Sequence, residues 1–176
     1  MARYVELRRH TDNDDDVLSD DGVGQALEIG TGLRGDYDVF VSSGAQRATQ
    51  AAACFLAGYG RRVPGGVIVE PGLRSDVEDR WRAAYSKAGS GELDALRAAD
   101  PELVADDSAR LAAGLRRVFE RLPEGGRALA VGHSPTNEAA VYGLTGEVVA
   151  PMGKGGGVVV VEDGDRFRVE PLPAEG

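Results

Sequence analysis

An α/β domain built on a largely parallel sheet is the fold class this sequence predicts, and three observations carry the prediction. Short strand-like apolar runs alternate along the chain with longer segments of helical period. The only two histidines, His10 and His133, each fall at the carboxyl end of a predicted strand, where an open α/β sheet places its ligand crevice. With 176 residues, 42% of them hydrophobic, the chain suffices for one full core, and a single domain over residues 1–176 is expected.

Tyr4 to Arg9 reads as the first strand. Ser19 is placed to cap a helix in which Val23, Ala26, Leu27 and Gly30 recur at helical spacing, and which ends near Gly32. Asp38 to Ser42 is the second strand, the alanine-rich run from about Ala45 to Gly58 is a helix, and Val67 to Glu70 is a short strand after the turn formers Pro64, Gly65 and Gly66. The polar stretch Leu73 to Leu96 is broken by Gly89, Ser90 and Gly91. It predicts two short helices that form a variable cap or excursion over about residues 73–99. Pro101 suits the start of a long helix to about Leu122, with Leu103, Leu111, Leu115, Val118 and Phe119 on its inner face. Arg127 to Val131 is another strand, and Pro135 suits the first turn of the helix that follows, to about Leu144. Val158 to Val161 and Arg166 to Val169 form a closing hairpin across Asp163, Gly164 and Asp165.

Composition excludes several classes. Against 20 basic side chains stand 29 acidic ones, a formal charge of -9, which opposes broad attraction to nucleic acid or anionic membrane. An anionic ligand therefore needs a local basic cluster. The N-terminus reaches Glu6, Arg8 and Arg9 without an apolar signal core, and no segment approaches the ~20 apolar residues of a membrane span. The lone Cys54 has no partner for an intramolecular disulfide and reads as a small buried helix residue, so a cytoplasmic protein is expected.

The two histidines point to phosphoryl chemistry. Neutral imidazole exists near pH 7, attacks phosphorus without a metal, and leaves again from the phosphorylated intermediate. The transferring group carries charge on three equatorial oxygens, so guanidinium forks and helix N-termini are needed around it. Arg9 precedes His10, and Arg47 lies in the first turn of the helix after Ser42 and Ser43, again at a strand's carboxyl end. His133 is followed by Ser134 and Pro135 at a helix start.

The stretch Leu7-Arg8-Arg9-His10-Thr11 resembles the Arg-His-Gly signature of the histidine phosphatase superfamily, and Leu18-Ser19-Asp20-Asp21-Gly22 resembles the Leu-Thr-x-x-Gly that follows it. Ser42-Ser43-Gly44-Ala45-Gln46-Arg47-Ala48-Thr49-Gln50 is similar to the Ser-Ser-Pro-x-x-Arg-Ala-x-Gln segment, and Val131-Gly132-His133-Ser134 to the Val-Gly-His-Ser segment. Four matches in the expected order contain both histidines of the chain. The resemblance, to a small phosphohistidine-phosphatase-like member of that superfamily, implies a phosphoglycerate mutase-like three-layer sandwich with helices on both faces of the sheet. It also implies a metal-independent phosphohistidine mechanism without a cofactor, with His10 as nucleophile and Arg9, Arg47 and His133 completing the phosphate pocket, beside Ser134.

The chain departs from the family pattern in four places. Thr11 replaces the signature glycine, Gly44 replaces a proline, and Asp16 falls where many members carry a pocket asparagine, while Asn13 falls at the usual Ser or Thr position as a candidate donor to phosphate. Many members also carry Leu-x-Glu after the third strand, the glutamate serving as proton donor. Here the matching stretch is Leu73-Arg74-Ser75, and Asp76 and Glu78 are the nearby substitutes. General acid catalysis contributes about 10²- to 10⁴-fold and matters most for poor leaving groups.

Other signals carry less. The run Asp12, Asn13, Asp14, Asp15, Asp16 resembles the start of a calcium loop, but Val17 stands where the turn needs glycine and Val23 where the bidentate glutamate belongs, so a solvated acidic loop is expected. Gly153-Lys154-Gly155-Gly156-Gly157 lacks the Ser or Thr of a P-loop, and Arg61-Arg62 and Arg116-Arg117 have no aromatic interleaving. The expected activity is phosphatase action on a phosphorylated small molecule or a phosphohistidine-bearing protein. Phosphoglycerate mutase-type transfer and non-catalytic phosphate binding are the rivals.

Overall fold

A computed structural model describes residues 1–173, and a six-stranded sheet runs through its centre. In chain order the elements are β1 (Arg3–Arg9), β2 (Asn13–Asp14), β3 (Val17–Leu18), α1 (Asp20–Gly32), β4 (Val39–Ser42), α2 (Gln46–Tyr59), β5 (Val67–Val69), α3 (Glu78–Ala88), α4 (Leu93–Ala99), α5 (Pro101–Glu120), β6 (Arg127–Gly132), α6 (Thr136–Thr145), β7 (Gly157–Asp163) and β8 (Arg166–Pro171). A short 3-10 turn, Pro71–Leu73, follows β5. The sheet order is β5-β4-β6-β1-β7-β8. The first four strands in this order are parallel, β7 runs antiparallel to β1, and β8 antiparallel to β7.

Alternation along the central strands sorts their side chains onto two faces. Val5, Leu7, Val41, Ala128 and Ala130 pack with Leu103, Leu111, Leu115, Val118 and Phe119 of α5, and with residues of α3, α4 and α6. Phe40, Leu129 and Val131 pack on the other side with Ala26 of α1 and Ala48, Ala51, Ala52 and Phe55 of α2. The result is the three-layer sandwich with helices on both faces. The α1–α2 contact is close because Gly30 and Gly58 face each other. A Cβ on either would lie within 2.4 Å of a backbone oxygen of the other helix.

Several expectations are refined. Of the four periodic residues in α1, Ala26 and Gly30 are buried, whereas Val23 and Leu27 are exposed, since α1 packs through its small residues. Ser19 does cap α1, accepting from the Gly22 amide at 3.0 Å. Cys54 is half-buried rather than buried, and burial pushes its thiol up. Pro135 is not in the first turn of α6 but at its N-cap, after a cis Ser134–Pro135 peptide. The acidic run is not an open loop. It forms the small β2-β3 hairpin, with Asp15 at φ 54° in its turn. The excursion folds as α3 and α4, separated at Gly89, whose φ of 68° suits a left-handed helix cap.

Candidate active site

Strand register builds the site. Arg9 pairs with Gly132 across β1 and β6, and Ser42 with Val131 across β4 and β6. His10, Ser43 and His133 are each the first residue beyond their strand, so the three leave the sheet side by side at its carboxyl edge. The His10 amide donates to Gly132 O at 3.1 Å and the Ser43 amide to Val131 O at 3.0 Å, which carries the register into the loops. The imidazole rings of His10 and His133 lie 5.4 Å apart, inclined at 60°.

His10 is 4% exposed, and its Nδ1 lies 2.8 Å from Thr11 O. A carbonyl oxygen only accepts, so Nδ1 carries the hydrogen and Nε2 keeps its lone pair. Burial lowers the His10 pKa from 6.5 to about 4, and the charges of Arg47, Arg9 and Lys154 push the same way against the Thr11 bond. The ring is therefore neutral near pH 7. His133 is lowered to about 3, first by burial and then by Arg47, His10, Arg74 and Arg9. Its Nε2 is 2.8 Å from Ser43 Oγ, and its Nδ1 has no partner.

The cations arrive from two elements. Arg47, in the first turn of α2, donates from Nη1 to Asp16 Oδ1 at 2.9 Å. Arg9 donates from Nη1 to Met152 O at 3.1 Å, and its Nε is buried without a partner. Buried polar atoms are normally paired. Arg9 Nε and His133 Nδ1 are two such buried atoms without a partner among the described residues, together with Ser108 Oγ and Glu138 Oε1. From Arg47 and His133 a cleft of about 210 Å³ opens outward, walled by Trp81, Tyr85, Pro135 and Ser134, with Glu78 and Arg82 at its edge.

The remaining sequence candidates divide. Ser134 lines the cleft, with its hydroxyl hydrogen-bonded to Glu138. Glu78 also lines the cleft, and accepts from Arg74 Nε at 2.9 Å. Asp76 does not. It is exposed, bonded to Arg110 of α5, and lines a separate surface hollow between Arg74 and Arg82. Asn13 is not a wall of the cleft either, because its amide donates to Asp15 O at 2.7 Å within the hairpin turn. Among the described residues, no group of three or more His, Cys, Asp or Glu side chains is placed to hold a metal ion.

The departures have local reasons. Gly44 has a φ of 98°, which proline cannot adopt. The Thr11 hydroxyl donates to Gly22 O at 2.7 Å, and so ties the first strand's exit to α1. Ser75 is 5% exposed and donates to Asp107 Oδ2 at 2.7 Å, facing the core side instead of the cleft. Sequence reasoning missed Ser43 as a partner of His133, Glu138 behind Ser134, the aromatic wall, and Lys154. The lysine's Nζ donates to Asp12 Oδ1 at 2.8 Å, and its charge acts on His10. Arg74 was discoverable as one more cation just past a strand's carboxyl end.

The sequence profile of the histidine phosphatase superfamily (branch 1) matches residues 3–155. Among solved structures, phosphoglycerate mutase from Bacillus anthracis is 20% identical with a TM-score of 0.70, over 97% of this chain and 92% of that one. A mycobacterial glucosyl-3-phosphoglycerate phosphatase is 18% identical with a TM-score of 0.66, over 99% of both chains. Phosphoserine phosphatase from Entamoeba histolytica is 18% identical with a TM-score of 0.67, over 96% and 94%. At these identities the likeness is one of fold. No curated protein matches the sequence.

Proposed function

The chain belongs to the histidine phosphatase superfamily, branch 1, and on that premise we propose that it is a metal-independent phosphatase that hydrolyses a phosphate monoester or phosphohistidine through a covalent intermediate on His10. The observation that carries this reading is the state of His10: neutral, its Nδ1 hydrogen held by Thr11 O, and its Nε2 lone pair free beside Arg9, Arg47 and His133.

Nε2 attacks phosphorus, the bond to the leaving group breaks, and the phosphoryl group rests on His10. Water then attacks phosphorus, and the His10 nitrogen leaves. Arg47, Arg9 Nε and His133 Nδ1 hold the equatorial oxygens through both steps, and the negative charge of the bound group offsets the burial that lowers the His133 pKa. The leaving group extends from Arg47 and His133 into the cleft of Trp81, Tyr85 and Pro135. That wall favours hydrolysis over mutase chemistry. A mutase must hold a second phosphoryl group, and Arg82, the other cation on the cleft, is a solvent-exposed side chain in a surface pair with Asp79. The substrate class is a phosphorylated small molecule or a phosphohistidine side chain.

The test is phosphate release from an aryl phosphate by the wild type and by His10→Ala, with isomerisation of phosphoglycerate followed in parallel. The wild type should release phosphate without isomerising, and His10→Ala should lose turnover while keeping its thermal unfolding. Near-wild-type activity in His10→Ala ends the mechanism.

A further inference from the structure

The family's usual acid position is Ser75, which faces Asp107, so the proton for a poor leaving group must come from elsewhere. Asp16 is held by Arg47, and three further carboxyls lie around the site. Asp76 is outside the cleft, held by Arg110. Glu78 is on the cleft wall, but its Oε1 is engaged by Arg74 Nε at 2.9 Å. Glu138, in the first turn of α6, is 1% exposed, and it reaches the cleft only through Ser134, whose hydroxyl it meets through Oε2. Its other oxygen, Oε1, is buried with no partner. Burial pushes its carboxyl up, against the opposing effects of Ser134, of the Glu138 and Met152 backbone amides, and of Arg9. A carboxyl so enclosed holds its proton better than a solvated one, and with a hydrogen on Oε2 it donates to Ser134 Oγ. The serine hydrogen is then directed into the cleft.

Resting on the phosphatase reading, we infer that Ser134 is the catalytic acid of this enzyme and Glu138 the proton reserve behind it. The placement is favourable. The cleft touched by Ser134 is also lined by His133 and Arg47, so Ser134 stands beside the space that the leaving group enters. As the His10 Nε2–P bond forms and the P–O bond breaks, the leaving oxygen takes the Ser134 hydrogen and Ser134 Oγ takes the Glu138 proton. The carboxylate left behind is the anion on which the Arg9 charge acts. In the second step water attacks the phosphorus of phosphohistidine and loses a proton to Ser134, which returns one to Glu138. The relay ends as it began, and no metal or co-reactant enters the balance.

The test compares an alkyl phosphate, glycerol 2-phosphate, with p-nitrophenyl phosphate, whose leaving group needs little protonation. Glu138→Gln keeps the shape but has no proton to give. Its kcat on the alkyl ester should fall about 10²-fold further than on the aryl ester, the lower end of what general acid catalysis supplies. Ser134→Ala should show the same selectivity, and Ser134→Thr, which keeps a hydroxyl, should restore most of the alkyl rate. These two variants decide the matter if Glu138→Gln does not fold. Equal losses on both esters, or a selective loss in Glu78→Gln with none in Glu138→Gln, overturn the relay. Wild-type protein that releases phosphate from neither ester overturns the phosphatase reading itself, a distinct result.

Discussion

Replacing Asp16 with asparagine should make inorganic phosphate bind more tightly. The Asp16 carboxylate lies 2.9 Å from Arg47 Nη1, with side-chain exposures of 46% and 19%. A phosphoryl group must either take the guanidinium from Asp16 or share it, next to a like charge. Two unit charges 4 Å apart interact by about 1 kcal/mol in water and about 4 kcal/mol at an effective dielectric of 20. Asp16 is nearly half exposed, so the lower figure applies, and measured exposed pairs agree at about 0.2–1 kcal/mol. Removing the charge while keeping the side chain's shape should therefore strengthen phosphate binding by about 1 kcal/mol, roughly fivefold. The assay is the competitive inhibition constant of inorganic phosphate against an aryl phosphate at two ionic strengths. The constant should drop about fivefold at low salt, and the gap between wild type and variant should narrow as salt is added. An unchanged or raised constant in a variant with wild-type thermal unfolding refutes the idea that Asp16 competes with the ligand for Arg47.

Three further outcomes are expected. Arg47→Ala should lose far more kcat/KM than Arg61→Ala, whose guanidinium is bound to Asp36 on the surface, and equal losses in a phosphate-release assay would remove Arg47 from the site. Stability should fall on acidification: His10 and His133 have folded pKa values of about 4 and about 3 against 6.5 unfolded, so the unfolded chain binds more protons below pH 6.5. Their contribution is complete above 6.5 and is lost as pH drops toward 4 and 3, on the order of several kcal/mol. Urea titrations from pH 7 to pH 4 should show this decline, and it should be shallower in His133→Asn. Ser75→Glu should not restore an acid. It places a second carboxylate beside the buried Asp107, and urea titration should show a loss of about 3 kcal/mol or more with no gain on alkyl phosphates.

The layers, the strand ends and the pairing of the two histidines were legible because each has a local sign. Ser19 marks the start of α1, Pro101 that of α5, and the break at Gly89 separates α3 from α4. The order of strands β5-β4-β6-β1 has no such sign, and it is that order which sets β6 between β1 and β4 and so brings Ser43 against His133. Direction is equally hidden from composition. Asp76 and Glu78 are two residues apart and look interchangeable as substitutes, yet Asp76 lies before α3 and turns to Arg110, while Glu78 opens that helix on the cleft side. Asn13 was plausible by position, but a donor in a tight hairpin is claimed first by the carbonyl two residues on.

Ser75 shows how a missing residue can be read as loss when it reflects a different use of the same place. Asp107 is 4% exposed on the inner side of α5, and a carboxylate so buried needs donors. It obtains them from Ser75 Oγ at 2.7 Å and from the Trp81 indole Nε1 at 2.7 Å. Those two bonds fasten the segment after β5 and the helix α3 to α5, and α3 carries Trp81 and Tyr85 to the cleft. A glutamate at position 75 would supply an acid but remove one of the donors that hold the aromatic wall in place. Serine there therefore serves the shape of the cleft, and in the proposed relay the proton comes instead from Ser134, with Glu138 behind it.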